Sequence, residues 1–223
     1  MPDDELFDIY DKELRHIGTA TRADTHARGY WHRSFHCWLA RRDGDRRYVR
    51  FQLRQLTKDT NPGCFDITAA GHLTAGETVR DAVRELEEEI GVTASFEELI
   101  PLGQITEEEE GMVNGRPFID REVSDVFALI SDVPLTALRL QPEEVAGVFE
   151  VEVEELLALF EGRRGELAAH GVELTGSTRA EAEATNEPIG LRPSTRSVRA
   201  NQFVPRDNRY YVEVMNKLLA LSY

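Results

Sequence analysis

A chain of 223 residues, 41% hydrophobic and 30% charged, can bury a sizeable core and has the balance of an ordinary globular protein. Its formal net charge of −15 opposes adsorption to nucleic-acid polymers and anionic membranes, so an anionic ligand needs locally supplied cations. Cys37 and Cys64, the two cysteines, form no CxxC motif; with no apolar signal core in MPDDELFDIYDKE and no run of about 18 apolar residues, the expected location is the reducing cytoplasm.

Residues 5–22 alternate apolar and charged positions, which predicts a short strand pair turning near Asp11–Glu13. A polar loop containing histidines, THARGYWHR, follows. SFHCWLA and RYVRFQLRQL read as strands on either side of RRDGDR, where Asp43-Gly44 is a hairpin signal. Asn61-Pro62-Gly63 breaks the chain, and Cys64–Ala70 reads as a buried strand leading into a glycine loop at Gly71.

Residues 71–92, GHLTAGETVRDAVRELEEEIGV, organise the rest. At about 100° per residue, Val79, Ala82, Val83, Leu86 and Ile90 fall on one apolar arc of a helix. Glu85, Glu88 and Glu89 share a second arc, where each like-charged pair costs roughly 0.2–0.5 kcal/mol. An acidic run is ordinarily a solvated face. Here the acids are confined to one side of an amphipathic helix behind a glycine loop. Clustered hard oxygen donors of this kind suit Mg²⁺ or Mn²⁺, which turns the repulsion into binding.

Beyond Gly91, SFEELIPLGQI is ambiguous between helix and strand, with a strand expected from Leu99. Glu107–Glu110 reads as a solvated loop or the rim of a metal-dependent pocket. FIDREVSDVFALI predicts a long strand with Asp120, Glu122 and Ser124 on one side. GVFEVE then predicts a strand and VEELLALFEG a helix. The polar composition of 163–201 predicts an insertion or long loop. Residues 202–223 end in an amphipathic helix, with Tyr211, Val214, Met215, Leu218 and Leu219 on the face that packs on the domain.

Within residues 71–92 the chain resembles the Nudix box, Gly-x5-Glu-x7-Arg-Glu-U-x-Glu-Glu-x-Gly-U with U aliphatic. Gly71, Glu77, Arg84, Glu85, Leu86, Glu88, Glu89, Gly91 and Val92 carry the match. Six residues rather than seven separate Glu77 from Arg84, which leaves the equivalence of Glu77 open. The resemblance implies an α+β fold, an α/β/α sandwich around a mixed sheet, with the Nudix domain in 1–162. It implies metal-dependent hydrolysis of a diphosphate bond in a nucleoside-diphosphate-linked or related small molecule, with a homodimer common. Glu85, Glu88 and Glu89 would be metal ligands, joined by the Gly71 carbonyl. Arg84 would orient the acids by a bidentate ion pair, and Glu122 would be an extra ligand or base.

The first half also resembles the Nudix subgroup that includes type I isopentenyl-diphosphate isomerases. His32 and His72 fall where those enzymes have metal-binding histidines, and His26 near a third. Arg54 and Lys58 match a basic pair that contacts diphosphate, and Asp120 and Glu122 a pair of strand acids. These histidines also have an ordinary reading as packing or surface residues. Trp31 could stack on a base or simply join a core, and Arg54 and Lys58 could form a solvated edge. The departure is Ala70, which stands where the isomerases place a catalytic cysteine; alanine can move no proton, so hydrolysis is favoured over isomerisation. A non-catalytic nucleotide-ligand sensor is a third reading, but such a domain is expected to lose acids that this chain keeps.

Overall fold

The computed structural model describes residues 4–113, 115–176 and 190–222. In chain order its elements are β1 (Leu6–Tyr10), β2 (His16–Thr21), α1 (Arg22–Arg28), β3 (Trp31–Asp43), β4 (Arg46–Arg54), β5 (Phe65–Ile67), β6 (Ala69–His72), α2 (Arg84–Ile90), β7 (Ile100–Val113), β8 (Arg116–Ile130), β9 (Val145–Glu152), α3 (Val153–Phe160), β10 (Leu167–Leu174), β11 (Leu191–Val198) and α4 (Asn208–Ala220). Among the described residues no helix is long and apolar enough to cross a membrane.

The strands share one sheet in the order β11-β10-β9-β4-β3-β1-β2, with β5 on β4, β6 and β8 on β3, and β7 on β8. The sheet is mixed, because β3 and β8 run parallel while the other named pairs run antiparallel. Strand β3 shows how the period of two assigns its faces. Phe35, Cys37 and Leu39 pack with Ala82, Leu86 and Ile90 under the box helix α2. Trp38 and Ala40 pack on the opposite side with Leu156, Tyr211, Val214 and Met215 of α3 and α4. Helices therefore cover both faces, as the box resemblance implies.

Helix α2 is short because a 3₁₀ turn, Asp81–Val83, forms the first part of the expected helical run. It ends at Gly91, whose φ of 71° is the left-handed conformation a glycine cap accepts without a steric penalty.

Three expectations are corrected. THARGYWHR is not simply a loop: its start lies in α1, which Thr21 caps by accepting from the Asp24 amide at 3.1 Å. Glu107–Glu110 lies within β7, so its acids alternate between faces instead of forming a solvated loop. The segment 163–201, expected as an insertion or long loop, carries β10 and β11, paired from Leu167–Val198 to Leu174–Leu191; positions 177–189 lie outside the described residues. Its polar composition hid strands whose partners lie elsewhere in sequence, β10 pairing with β9 as well. The C-terminal helix is as expected, with Tyr211, Val214, Met215 and Leu218 buried.

Candidate functional site

The face of β3 that carries Trp38 also presents His32, Ser34 and His36 further along the strand. Register does the rest. His32 pairs with Glu122 and Ser34 with Ser124 on β8, Ser34 pairs with His72 and His36 with Ala70 on β6, and Glu107 and Glu109 on β7 lie opposite Glu122 and Asp120. One sheet face thereby gathers three histidines and four acids. All of these but His32 border a cavity of about 110 Å³ whose lining includes His72, Glu89, Glu107, Asp120 and Glu122 and the cations Arg54, Lys58 and Arg206.

The box builds the floor. Gly71 approaches α2 so closely that a Cβ there would lie inside the Glu85 carboxyl, only 2.7 Å even from its Oε2. Glu89 Oε2 accepts from the Ala70 amide at 3.1 Å and from Gln52 Nε2 at 3.3 Å. Burial pushes the Glu85 carboxyl up to about 7. Burial, then the neighbouring Glu85, pushes Glu89 up to about 8. Arg84 grips both oxygens of Glu77, at 2.8 and 3.0 Å, and reaches Glu85 at 2.7 Å and Glu88 at 2.9 Å. Glu77 is therefore the partner of Arg84 despite the shortened spacing. Glu88 is exposed, with 54% of its side chain accessible, and faces Arg84 at the outer edge of the cluster.

A second donor set lies on the strands. His26 Nδ1 bonds the Arg22 carbonyl at 2.8 Å and His32 Nδ1 the Tyr30 carbonyl at 3.2 Å. A carbonyl only accepts, so these bonds put the proton on Nδ1 and leave Nε2 as a ligand. Both Nε2 atoms lie 3.5 Å from Asp120 Oδ1, and all three atoms are buried with no hydrogen-bond partner. Buried orphans of this kind are rare and call for an ion or water. His32 Nε2, Asp120 and Glu122, whose Oε1 is 3.5 Å from His32 Nε2, lie close enough together to hold a divalent cation. His72 behaves differently: Arg22 donates to its Nδ1 at 3.0 Å, so its Nε2 carries the proton that reaches Glu122 at 2.7 Å.

The electrostatics set the histidines apart. Burial holds His72 down at about 4, hence neutral. Burial also disfavours charge on His32, but Glu122 and Asp120 outweigh it and raise its pKa. Burial pushes Glu122 up, but His72 and His32 more than offset this and hold its carboxyl well below the usual range.

Of the residues singled out by sequence, His26, Gly71, His72, Glu89, Arg54, Lys58, Asp120 and Glu122 meet at the cavity. Glu85 lies just beneath it, and His32 is buried behind it. Trp31 does not belong: strand alternation turns it, like Arg33 and Phe35, away from the His32 face, and it is not part of the lining. Arg54 bonds Asp66 at 2.9 Å and the Thr60 carbonyl at 3.0 Å, and Lys58 is ion-paired with Glu144. Burial, then the nearby Arg54, lowers Lys58 to about 8. Sequence reasoning missed Gln52, Asp66 and Arg206, and it named Glu107 only within an acidic run. The alternation of β7 was the signal available for Glu107; Arg206 had none, because it arrives from the C-terminal segment.

Comparison with known proteins gives a consistent result. The NUDIX domain family matches residues 30–170. An uncharacterised Nudix hydrolase of Clostridium acetobutylicum is 34% identical over 217 residues, covering 97% of this chain and 98% of its own length. An isopentenyl-diphosphate Δ-isomerase of Corynebacterium diphtheriae is 32% identical over 161 residues, covering 70% of this chain and 84% of that protein. A crystal structure of a Deinococcus radiodurans protein covers 71% of this chain and 90% of that one with a TM-score of 0.53 at 20% identity, a likeness of fold.

Proposed function

The chain belongs to the Nudix hydrolase family, and on that premise we propose that it hydrolyses a diphosphate bond in a nucleoside-diphosphate-linked or related small molecule, with Mg²⁺ or Mn²⁺ as cofactor. The observation that carries this reading is the convergence of Gly71, Glu89, Asp120 and Glu122 with Arg54 and Lys58 on one cavity. Acids alone would repel a diphosphate, and cations alone would not activate water.

A cation would be held by Glu85, Glu88 and Glu89 with the Gly71 carbonyl, and a separate one by His32, Asp120 and Glu122; either would supply Lewis-acid stabilisation of the phosphate oxygens. Water attacks phosphorus, the anhydride P–O bond breaks, and its electron pair leaves with the departing phosphate. The water proton goes to a cavity carboxylate. Glu122 spends Oε1 on His72 and Oε2 on Ser34 Oγ, 3.1 Å away. Both donors to Glu89 reach Oε2, leaving Oε1 for an external proton, so Glu89 is the better-placed base once its carboxyl, raised by burial to about 8, is ionised. Arg54 and Lys58 meet the phosphates by charge. Arg84 is a positioning residue, since its contacts are to Glu77, Glu85 and Glu88.

A second reading, isomerisation of an isopentenyl-type diphosphate, draws on the strand histidines and the 32% identity to an isomerase. Ala70 speaks against it: its methyl group faces the chemistry where a proton-transferring side chain is needed, and Cys64 is not part of the cavity lining. The −15 charge supports a small-molecule substrate over a nucleic-acid polymer, and the two free cysteines suit the cytoplasm.

The test is incubation with nucleotide sugars, dinucleotides, nucleoside di- and triphosphates, coenzyme A and isopentenyl diphosphate, with Mg²⁺ or Mn²⁺ and with EDTA. Metal-dependent cleavage of one class is expected. No cleavage, with deuterium exchange into isopentenyl diphosphate, would replace hydrolysis by isomerisation. Tight binding without either reaction would make the domain a sensor.

A further inference from the structure

The segment between β11 and α4 is more than a tether. Phe203 bridges to Phe65 in parallel, and the Val204 amide donates to the Phe65 carbonyl at 2.8 Å. The Tyr211 hydroxyl donates back to the Val204 carbonyl at 2.8 Å. This docking against β5 places Arg206 beside Asp66, the residue after Phe65. The Arg206 guanidinium lies over the Tyr210 ring at 5.5 Å, pairs with Glu107, and has NH2 3.6 Å from Asp66 Oδ1.

Asp66 also binds Arg54 through its other oxygen, Oδ2, at 2.9 Å. One carboxylate, only 2% exposed, thus holds two guanidiniums together, one from β4 and one from the C-terminal segment. Without it their like charges would drive them apart. Each of the two also has a buried Nε with no hydrogen-bond partner. The Arg206 side chain is 12% exposed, and both arginines line the cavity that contains Glu89 and Glu122. The terminal nitrogens of each carry further N–H groups besides those that face Asp66, Thr60 or Glu107, so with Nε unused each guanidinium retains donors for a phosphate oxygen entering the cavity.

We propose that Arg206 is a specificity-determining residue that binds a phosphate of the substrate opposite the acidic cluster, with Asp66 positioning it beside Arg54 as a two-arginine clamp. The identity of the anion as one phosphate of a diphosphate rests on the hydrolase reading; the existence of an anion site does not. The clamp makes the C-terminal segment part of the active cavity, and a ligand whose second anionic group reaches it is held at both ends.

The test measures binding of imidodiphosphate, a diphosphate mimic with a P–N–P bridge, to the full chain in Mg²⁺ by calorimetry. Arg206→Gln is expected to weaken binding about 10- to 100-fold, as loss of charge-assisted hydrogen bonds does. Arg206→Lys should recover part of the loss, and Arg209→Gln, on the exposed start of α4, should leave affinity unchanged. In turnover of the cleaved substrate, Arg206→Gln should raise KM more than it lowers kcat.

If Arg206 merely balances Glu107, the double variant Arg206→Gln/Glu107→Gln restores wild-type affinity. That restoration overturns the proposal, as does wild-type affinity in Arg206→Gln or failure of the wild-type chain to bind imidodiphosphate. A chain that cleaves nothing but loses imidodiphosphate through Arg206→Gln keeps the clamp and drops the hydrolase reading.

Discussion

His72 donates from Nε2 to Glu122 at 2.7 Å while its Nδ1 accepts from Arg22 at 3.0 Å, so the residue following Gly71 is tied directly to the strand acids. Glycine loop and acidic strand are one electrostatic unit. Glu122→Gln keeps the shape but removes the charge that faces His32 and His72. It should lower divalent-cation affinity by about 10- to 100-fold, as loss of a ligand or of its supporting partner does, with the fold retained. Mn²⁺ titration followed by calorimetry checks this.

Gly71→Ala puts a methyl group into the space of the Glu85 carboxyl. The atoms it meets are the end of the Glu85 side chain, so it is the carboxyl that must move. The expected outcome is a folded chain with Glu85 displaced and kcat/KM reduced by at least about 10², the scale on which a small misplacement of catalytic groups acts. Circular dichroism separates this loss from unfolding.

The buried acids also set a pH dependence. Glu85 and Glu107 are raised by burial to about 7, and Glu89 to about 8, from the usual 4.5. From about pH 6.5 to 8 the folded chain holds protons that the unfolded chain has lost, so stability falls as pH rises. His32, also raised, adds to that slope. His36 and His72, held by burial at about 3 and 4, act in the opposite sense but only below about pH 6.5. Lys58, lowered to about 8, opposes the slope only above that pH. Thermal melts in EDTA should therefore show a lower midpoint at the upper end of this range. Glu89→Gln should flatten the decline, and Mn²⁺ should reverse it by replacing the protons.

The box was legible because its signal is local. Helical spacing placed Glu85 and Glu89 on one arc, a glycine loop at 71 marked the entry to that helix, and strand alternation put Asp120 and Glu122 together. What could not be read depended on pairing between distant segments. Strands β10 and β11 hide in a polar stretch because their ladder is formed with each other and with β9. Trp31, which could have stacked on a base or joined a core, is turned from the His32 face by the alternation within β3, once the strand is known to begin at Trp31. Arg206 and Asp66 meet only when a segment near the C-terminus docks on β5, and no periodicity reports that contact.

Tyr210 links α4 to the sheet through two buried bonds: Trp38 Nε1 donates to its hydroxyl at 3.0 Å, and the same oxygen lies 3.2 Å from His36 Nδ1. Tyr210→Phe strips both partners at once. Leaving buried polar groups unpaired costs about 1–3 kcal/mol, and urea unfolding should show a loss of that size. Imidodiphosphate affinity should fall less than in Arg206→Gln, because the ring beneath Arg206 remains.

Turnover of the preferred diphosphate in H₂¹⁸O, with Mn²⁺ present, tests the central claim most directly. Hydrolysis at phosphorus predicts one ¹⁸O atom in a phosphate product per cleavage, none in EDTA, and at least about a 10²-fold slower rate in Glu89→Gln. Label in the non-phosphate product, or label-free product with deuterium entering carbon from D₂O, would contradict it.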